Sequence, residues 1–419
     1  MRKSTFALFA ASLFQMGCTT TATTTDTQTG ATAMQAQEAK QPPSSTDALA
    51  PRLSGNPRTL DMFKKGYEGC YDRASESYAF VVDSHNHFRP FGGNAIPLYQ
   101  MSDYLRRLGV LFVNIYGIGQ TLPIDSGCEY YLDCQGTDVI PTIKNDFRNA
   151  SNVLEYEPEG VHMTLSMSFP NLAKPALVEP QIKLLDREYP KQFKWMGEVN
   201  LVKQALFGNN HKATTEAQIG QWGPFMKILE ERKIPIAIHS DLGCSEKVNE
   251  DDFECGAGER TKYLHLMDKV LELYGDTNKI VWVHMGLSKE LTDIPPAEHI
   301  DILKERLDKY PNLNLDITWG VIWDYYFSDS IKRPDYVNFL NEYSTRILPG
   351  TDFVALHTKD YLSYAKEVQK TSQINLYLDD NAFRNIALGE NYFRLFDDMG
   401  DLGDMSAYTA PKICEVPAN

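Results

Sequence analysis

A chain of 419 residues with 42% hydrophobic and 11% aromatic side chains can bury a large core, more than one barrel of about 250 residues needs. Its formal charge of −15 offers no basic face for phosphate, which argues against a nucleic-acid partner. No run of the sequence is long and apolar enough to span a bilayer.

In chain order, Arg2 and Lys3 form a short positive region, residues 6–14 an apolar stretch and Gly17-Cys18 a processing point, the pattern of an export signal over residues 1–18. Phe14-Gln15-Met16-Gly17-Cys18 resembles a bacterial lipobox, although Gln15 departs from the aliphatic residue usual there. The expectation is a periplasmic or outer-membrane-anchored lipoprotein whose only membrane attachment is a lipid on Cys18, with plain secretion as the alternative. Residues 19–58 are rich in Thr, Ala, Gln, Pro and Ser and cannot repay the entropy of ordering, so they read as a tether with a reach of roughly 35 Å. The folded domain is expected over residues 59–419. Setting Cys18 aside leaves six of the 7 cysteines for an oxidising compartment. Their spacing suggests Cys128 with Cys134, Cys244 with Cys255, and Cys70 with Cys414 tying the ends of the domain together.

From Tyr78 onward, short β-rich runs alternate with amphipathic helical stretches, as expected of a parallel sheet with crossover helices. Strands are predicted at residues 79–83, 111–116, 161–167, 193–197, 235–238, 280–283, 313–318 and 347–350, with helices such as 216–232, 261–274 and 296–310 between them. Several strands are apolar on both faces, and no Gly-rich dinucleotide fingerprint follows the first, which favours a closed (β/α)8 TIM barrel. Residues 375–398 read as one or two extra C-terminal helices capping the barrel.

Acid and imidazole side chains recur at the C-terminal ends of these strands, where barrel enzymes place their chemistry: His85 with His87, then Glu198, His239, His284 and Asp352. Period-two alternation puts His85 and His87 on one inward face. Imidazoles and carboxylates converging on a barrel mouth suit zinc or a similar divalent ion. His162, His211, His265, His299 and His357 lack the register and read as structural, His357 alone lying on a loop that reaches the mouth. Arg89 as a carboxylate clamp, Tyr116 and Gln120, and Trp319 with Trp323 as an aromatic wall are the candidates for substrate contact.

The runs Val81-Val-Asp-Ser-His-Asn-His-Phe, Gly197-Glu198, Ile238-His-Ser, Val283-His-Met-Gly and Gly350-Thr-Asp together resemble the amidohydrolase superfamily, in its amidohydrolase-related (type 2) branch. Asn391-Tyr-Phe-Arg-Leu-Phe resembles that branch's closing helix, so the likeness covers about residues 78–396. It implies a metal site of His85, His87, His239 and Asp352. His284 matches a histidine that ligates a second metal in some members and orients substrate in others. Glu198 stands where many binuclear relatives carry a carboxylated lysine. The expectation is one zinc, with two metals bridged by Glu198 as the competing case. The expected reaction is hydrolysis of a C–N or C–O bond of a small molecule, with Asp352 moving the proton and His284 donating to the oxygen that gathers charge. Nonoxidative decarboxylation on the same site and a non-catalytic surface binding protein are the rivals.

Overall fold

The computed structural model describes residues 58–415 apart from 78, 91–93, 124–126, 129–133, 139, 157, 246–258 and 401–403. The export signal, the lipobox, nearly all of the tether and Cys255 therefore lie outside the described residues.

Nine strands form one parallel sheet: β1 (Val82–His87), β2 (Phe112–Tyr116), β3 (His162–Met167), β4 (Phe193–Val202), β5 (Ile236–Ser240), β6 (Ile280–Trp282), β7 (Leu313–Asp316), β8 (Ile347–Leu348) and β9 (Phe353–Val354). Each pairs with its neighbour in sequence from β1 to β8. The last unit closes the ring. Ile347 is in register with Leu315 of β7, and Phe353 further along is in register with Asn86 of β1. Between them, Ser84 N–H donates to the Pro349 carbonyl at 3.1 Å and Asp352 N–H to the His85 carbonyl at 2.8 Å.

A helix follows each barrel strand in turn: α1 (Leu98–Leu108), α2 (Lys144–Glu155), α3 (Val178–Glu188), α4 (Gly223–Arg232), α5 (Leu264–Tyr274), α6 (Pro296–Lys309), α7 (Arg333–Glu342) and α8 (Tyr361–Ser372). In α1 the buried Met101, Tyr104, Leu105 and Leu108 fall at the three- and four-residue spacing that gives a helix one apolar face. With helices outside and side chains filling the interior, every residue of β1, β2 and β5 is buried. The architecture is the TIM barrel that the alternation predicts.

Several boundaries differ: β4 runs on to Val202, past the expected end at residue 197, while β7 and β8 each stop two residues short of theirs. The first strand reaches His87, beyond the expected end at residue 83, because residues 86 and 87 pair with β2 on one side and β9 on the other. The helix expected over 216–232 is broken after a short turn, Glu216–Ile219, and restarts at Gly223 with Pro224 in its first turn, a residue that lacks the N–H to continue a helix.

The extra C-terminal helices, α9 (Asp380–Ile386) and α10 (Glu390–Arg394), plug the end of the barrel away from the strands' C-termini. Tyr392 and Phe396 lie against Trp195 at the start of β4, and Phe393 against Phe112 at the start of β2. Asn391 Nδ2 donates to the carbonyls of Ser344 and Ile347 at 2.6 and 2.7 Å. Below them Cys70 and Cys414 are disulfide-bonded, as are Cys128 and Cys134 near the mouth. Cys244 is also disulfide-bonded, its expected partner lying outside the described residues. No helix among the described residues is long and apolar enough to cross a membrane.

Candidate metal centre

Two glycines let the strands bring donors together. Gly197 has φ +129, and a Cβ there would stand 2.6 Å from the Ala237 carbonyl oxygen, so β4 approaches β5 closely only with glycine before Glu198. Its own carbonyl accepts from the hydroxyls of Ser166 and Ser168 at 2.6 and 3.0 Å. A Cβ on Gly350 would meet the Thr318 methyl at 2.6 Å and His85 N at 3.0 Å. This close passage delivers Asp352, itself at φ 57, to the mouth beside β1.

There, His85 Nε2 and His87 Nε2 stand 3.2 Å apart. Asp352 Oδ1 is 3.4 Å from the first and 3.2 Å from the second, and Glu198 Oε2 is 3.9 and 3.3 Å away. Which ring nitrogen holds the proton follows from the partners. His87 Nδ1 donates to the Gly117 carbonyl at 2.9 Å and His85 Nδ1 to the Asp316 carboxylate at 3.1 Å. In their neutral forms both imidazoles thus aim a lone pair at the other and at two carboxylate oxygens. Four convergent acceptors repel unless a proton or a cation lies among them. The four ligand atoms lie within 4.8 Å of one another, a donor set that suits a divalent metal ion.

Glu198 links this group to a second. Its Oε1 contacts His239 Nδ1, and Glu198, His239 and His284 also fall within 4.8 Å of one another. Lys203, at the end of the same strand, donates to both Glu198 oxygens at 2.7 and 2.9 Å. His239 does not join His85, His87 and Asp352 in one group, as its register had suggested. Its two nitrogens are taken by Glu198 and, at 2.8 Å, by Asp241, an inward carboxylate that follows two residues later.

His284 is buried, with its ring 5.0 Å from that of Trp319, and its Nδ1 faces the Thr318 hydroxyl at 2.8 Å and carbonyl at 3.2 Å. The Thr318 hydroxyl donates to Asp316 Oδ1, so it accepts from His284, which fixes that ring's proton on Nδ1. Nε2 is left as a buried lone pair with no partner among the described residues, 3.8 Å from Asp352 Oδ2. The expected donor role of His284 is therefore not the one its neutral tautomer offers.

Without a cation, protons occupy the centre. Burial opposes charge on His87, but hydrogen bonds and the charges of Asp352 and Glu198 outweigh it and lift its pKa to about 9. His239 likewise, against burial and Lys203, is raised to about 9 by Glu198 and Asp241. Glu198, Asp316 and Asp352 are held below the usual carboxylate range despite their burial, by Lys203 and the imidazoles around them. His284 is pushed down to about 4 by burial and stays neutral.

Two cavities open beside the donors. One, of about 450 Å³, is lined by His87, Glu198, Gln120, Asn200 and His211; the other, of about 210 Å³, by His239, Asp352, Trp319, Lys203, Lys289 and Lys359. Of the residues expected to contact substrate, Gln120 lines the larger cavity and Trp319 the smaller. Arg89 lines neither cavity, its Nε donating to Asn149 on α2 at 3.2 Å. Tyr116 is buried under the histidines, its ring 4.4 Å from that of His85, Trp323 packs into the core's edge, and His357 is exposed with Nδ1 on the Asn94 carbonyl. The reading overlooked Asp316, Asp241 and Lys203, and set His211 aside. Asp316 ends β7 and Asp241 directly follows β5, which was their one available signal.

No family model and no curated protein matches the chain. Among solved structures it is similar to an uncharacterized TIM-barrel protein from Bordetella bronchiseptica, at 14% identity over 76% of this chain and 99% of that one, with a TM-score of 0.46. It is similar to an amidohydrolase from Burkholderia multivorans with bound zinc, at 11% identity over 76% and 99% of the two chains, with a TM-score of 0.44. A D-hydantoinase from Thermus sp. matches at 12% identity over 81% and 74%, with a TM-score of 0.43. Likenesses this distant assign no activity, so the chemistry has to be read from the site itself.

Proposed function

We propose that this chain is a metal-dependent hydrolase of the amidohydrolase type, cleaving a C–N or C–O bond of a small molecule with one divalent cation, zinc foremost. The observation that carries the reading is the convergence of lone pairs from His85, His87, Glu198 and Asp352 at the mouth of a closed barrel. These four residues would hold the cation. When bound, it supplies Lewis-acid polarisation and lowers the pKa of a water molecule.

The chain's own groups do the rest. Asp352 turns Oδ1 towards His85 and His87 and Oδ2 towards His284, so Oδ2 is the atom that takes the proton from an attacking water. As the water oxygen bonds to the carbonyl carbon and the C–N or C–O bond breaks, the same proton passes to the leaving atom. His284 Nε2 accepts a hydrogen bond from that water and aligns it with Asp352. Trp319, its ring tilted 48° to that of His284, walls the smaller cavity and shields this space.

A second reading, two cations bridged by Glu198, is favoured by one observation: its two oxygens face different imidazoles, His87 and His239. Against it, Lys203 already neutralises both oxygens. Export as a lipoprotein fits the disulfides and the N-terminal signal pattern and is part of the same proposal. Elemental analysis of protein purified without added metal, followed by an ester, lactone and amide panel with and without chelator, tests the assignment. One equivalent of metal and chelator-sensitive hydrolysis are expected; a chain that neither retains nor takes up a divalent ion sinks it.

A further inference from the structure

The larger cavity carries a feature that the metal centre does not explain. Asn200 Oδ1 and His211 Nε2 are both buried, and neither has a hydrogen-bond partner among the described residues. Both residues line the cavity of about 450 Å³ that also reaches His87 and Glu198 of the donor group. Asn200 lies two residues beyond Glu198 on β4, so strand alternation aims it the same way. His211 follows the segment Gln204–Asn209 after that strand, which is pinned from the other side where Asn209 Nδ2 donates to the carbonyls of Cys134 and Thr137. A rigid wall thus presents two polar atoms that water or a ligand has to satisfy, because buried unpaired acceptors are costly.

The chemistry of the wall limits what satisfies them. An amide oxygen only accepts, so Asn200 calls for an O–H or N–H donor. His211 is pushed down to about 4 by burial and by the nearby Lys203 and His239, so it meets the ligand as a neutral ring. Gln120, Asn171, Asn210 and Thr214 add further amides and hydroxyls to a lining that also holds Phe169 and Leu172. The volume matches that of small-molecule sites.

We propose that this cavity is the substrate chamber, that Asn200 and His211 are its specificity-determining pair, and that its substrate is a small polyhydroxylated molecule whose hydroxyls they bind while its scissile bond reaches past His87 and Glu198 towards Asp352. The assignment of the chamber to a substrate rests on the hydrolase reading; the binding of hydroxyls does not.

The test measures binding by ligand-observed NMR to the full chain, chelated and zinc-loaded, with gluconamide and hexanamide, six-carbon amides that differ in their hydroxyls. Gluconamide is expected to bind both forms at least tenfold more tightly than hexanamide. Asn200→Leu and His211→Phe should each weaken gluconamide roughly tenfold, leave hexanamide and zinc content unchanged, and His211→Gln should recover part of the loss. Circular dichroism verifies folding, and if Asn200→Leu unfolds, the two His211 variants decide. Equal affinity for both probes, or wild-type affinity in the His211→Phe variant, overturns the proposal. Hydroxyl-dependent binding in a chain that hydrolyses nothing would sink the hydrolase reading and keep this pair; hydrolysis with no hydroxyl preference would do the reverse.

Discussion

Asp316 holds two histidines at once: Oδ2 accepts from His85 Nδ1, while Oδ1 accepts the backbone N–H of His284 at 2.7 Å and the Thr318 hydroxyl. A carboxylate behind a ligating imidazole fixes its tautomer and raises its basicity, and losing one typically costs about 10- to 100-fold in metal affinity. Asp316→Asn should therefore weaken zinc by roughly that factor in a chelator competition, and wild-type affinity in this variant would count against His85 as a ligand. Asp352→Asn separates holding from proton transfer, because the amide keeps an oxygen near His85 and His87 but has no basic Oδ2. Turnover should fall about 10²- to 10⁴-fold with zinc content largely retained, measured on one preparation. His85, His87, Glu198 and Asp352 were legible in the sequence because they follow or end runs of strand character. Asp316 was not: the strand expected over 313–318 runs past it, and only the observed end of β7 at Asp316 shows it in the same place as the other donors. The tautomer of His284 was equally out of reach, since it depends on Thr318, 34 residues away in sequence.

At the scale of elements, β4 and the loops at its end organise the site. Gly197→Ala would push a methyl group to within 2.6 Å of the Ala237 carbonyl oxygen and force a backbone angle that side chains avoid. The variant should lose about 2 kcal/mol or more of stability and shift Glu198 away from His87, visible as a lower denaturation midpoint together with weaker metal binding. Cys134, disulfide-bonded to Cys128, and the residues after it meet the same strand's outgoing segment, through Asn209 Nδ2 on the carbonyls of Cys134 and Thr137 and through Gly136 N–H on the Gly208 carbonyl at 2.7 Å. Replacing both cysteines by serine should raise KM several-fold while moving the thermal midpoint little, because a short ring constrains few unfolded states. The order of strands and helices was readable because a parallel strand buried on both faces leaves a continuous apolar run. Their ends were not, since pairing on two sides, as at Asn86 and His87, extends a strand past its apolar stretch.

For the whole molecule, the metal centre couples folding to pH. His87 and His239 are raised to about 9 in the cation-free fold, above the ordinary imidazole value near 6.5. A raised pKa contributes stability that is fully present below about 6.5 and is lost as pH climbs through 9. The cation-free protein should accordingly weaken across that window. Cation binding runs the other way: it has to displace the proton shared at His87, one of its four ligands, so it strengthens as pH rises, and at a 100-fold excess over Kd it adds about 2.7 kcal/mol to the folded state. The two trends together predict a gap in Tm between zinc-loaded and chelated protein that widens from pH 6 to pH 9. Differential scanning calorimetry at matched ionic strength reads that gap directly, with titration calorimetry counting the protons released on zinc binding. A gap that is constant or narrows with pH would mean that the imidazole at 87 is not where proton and cation compete.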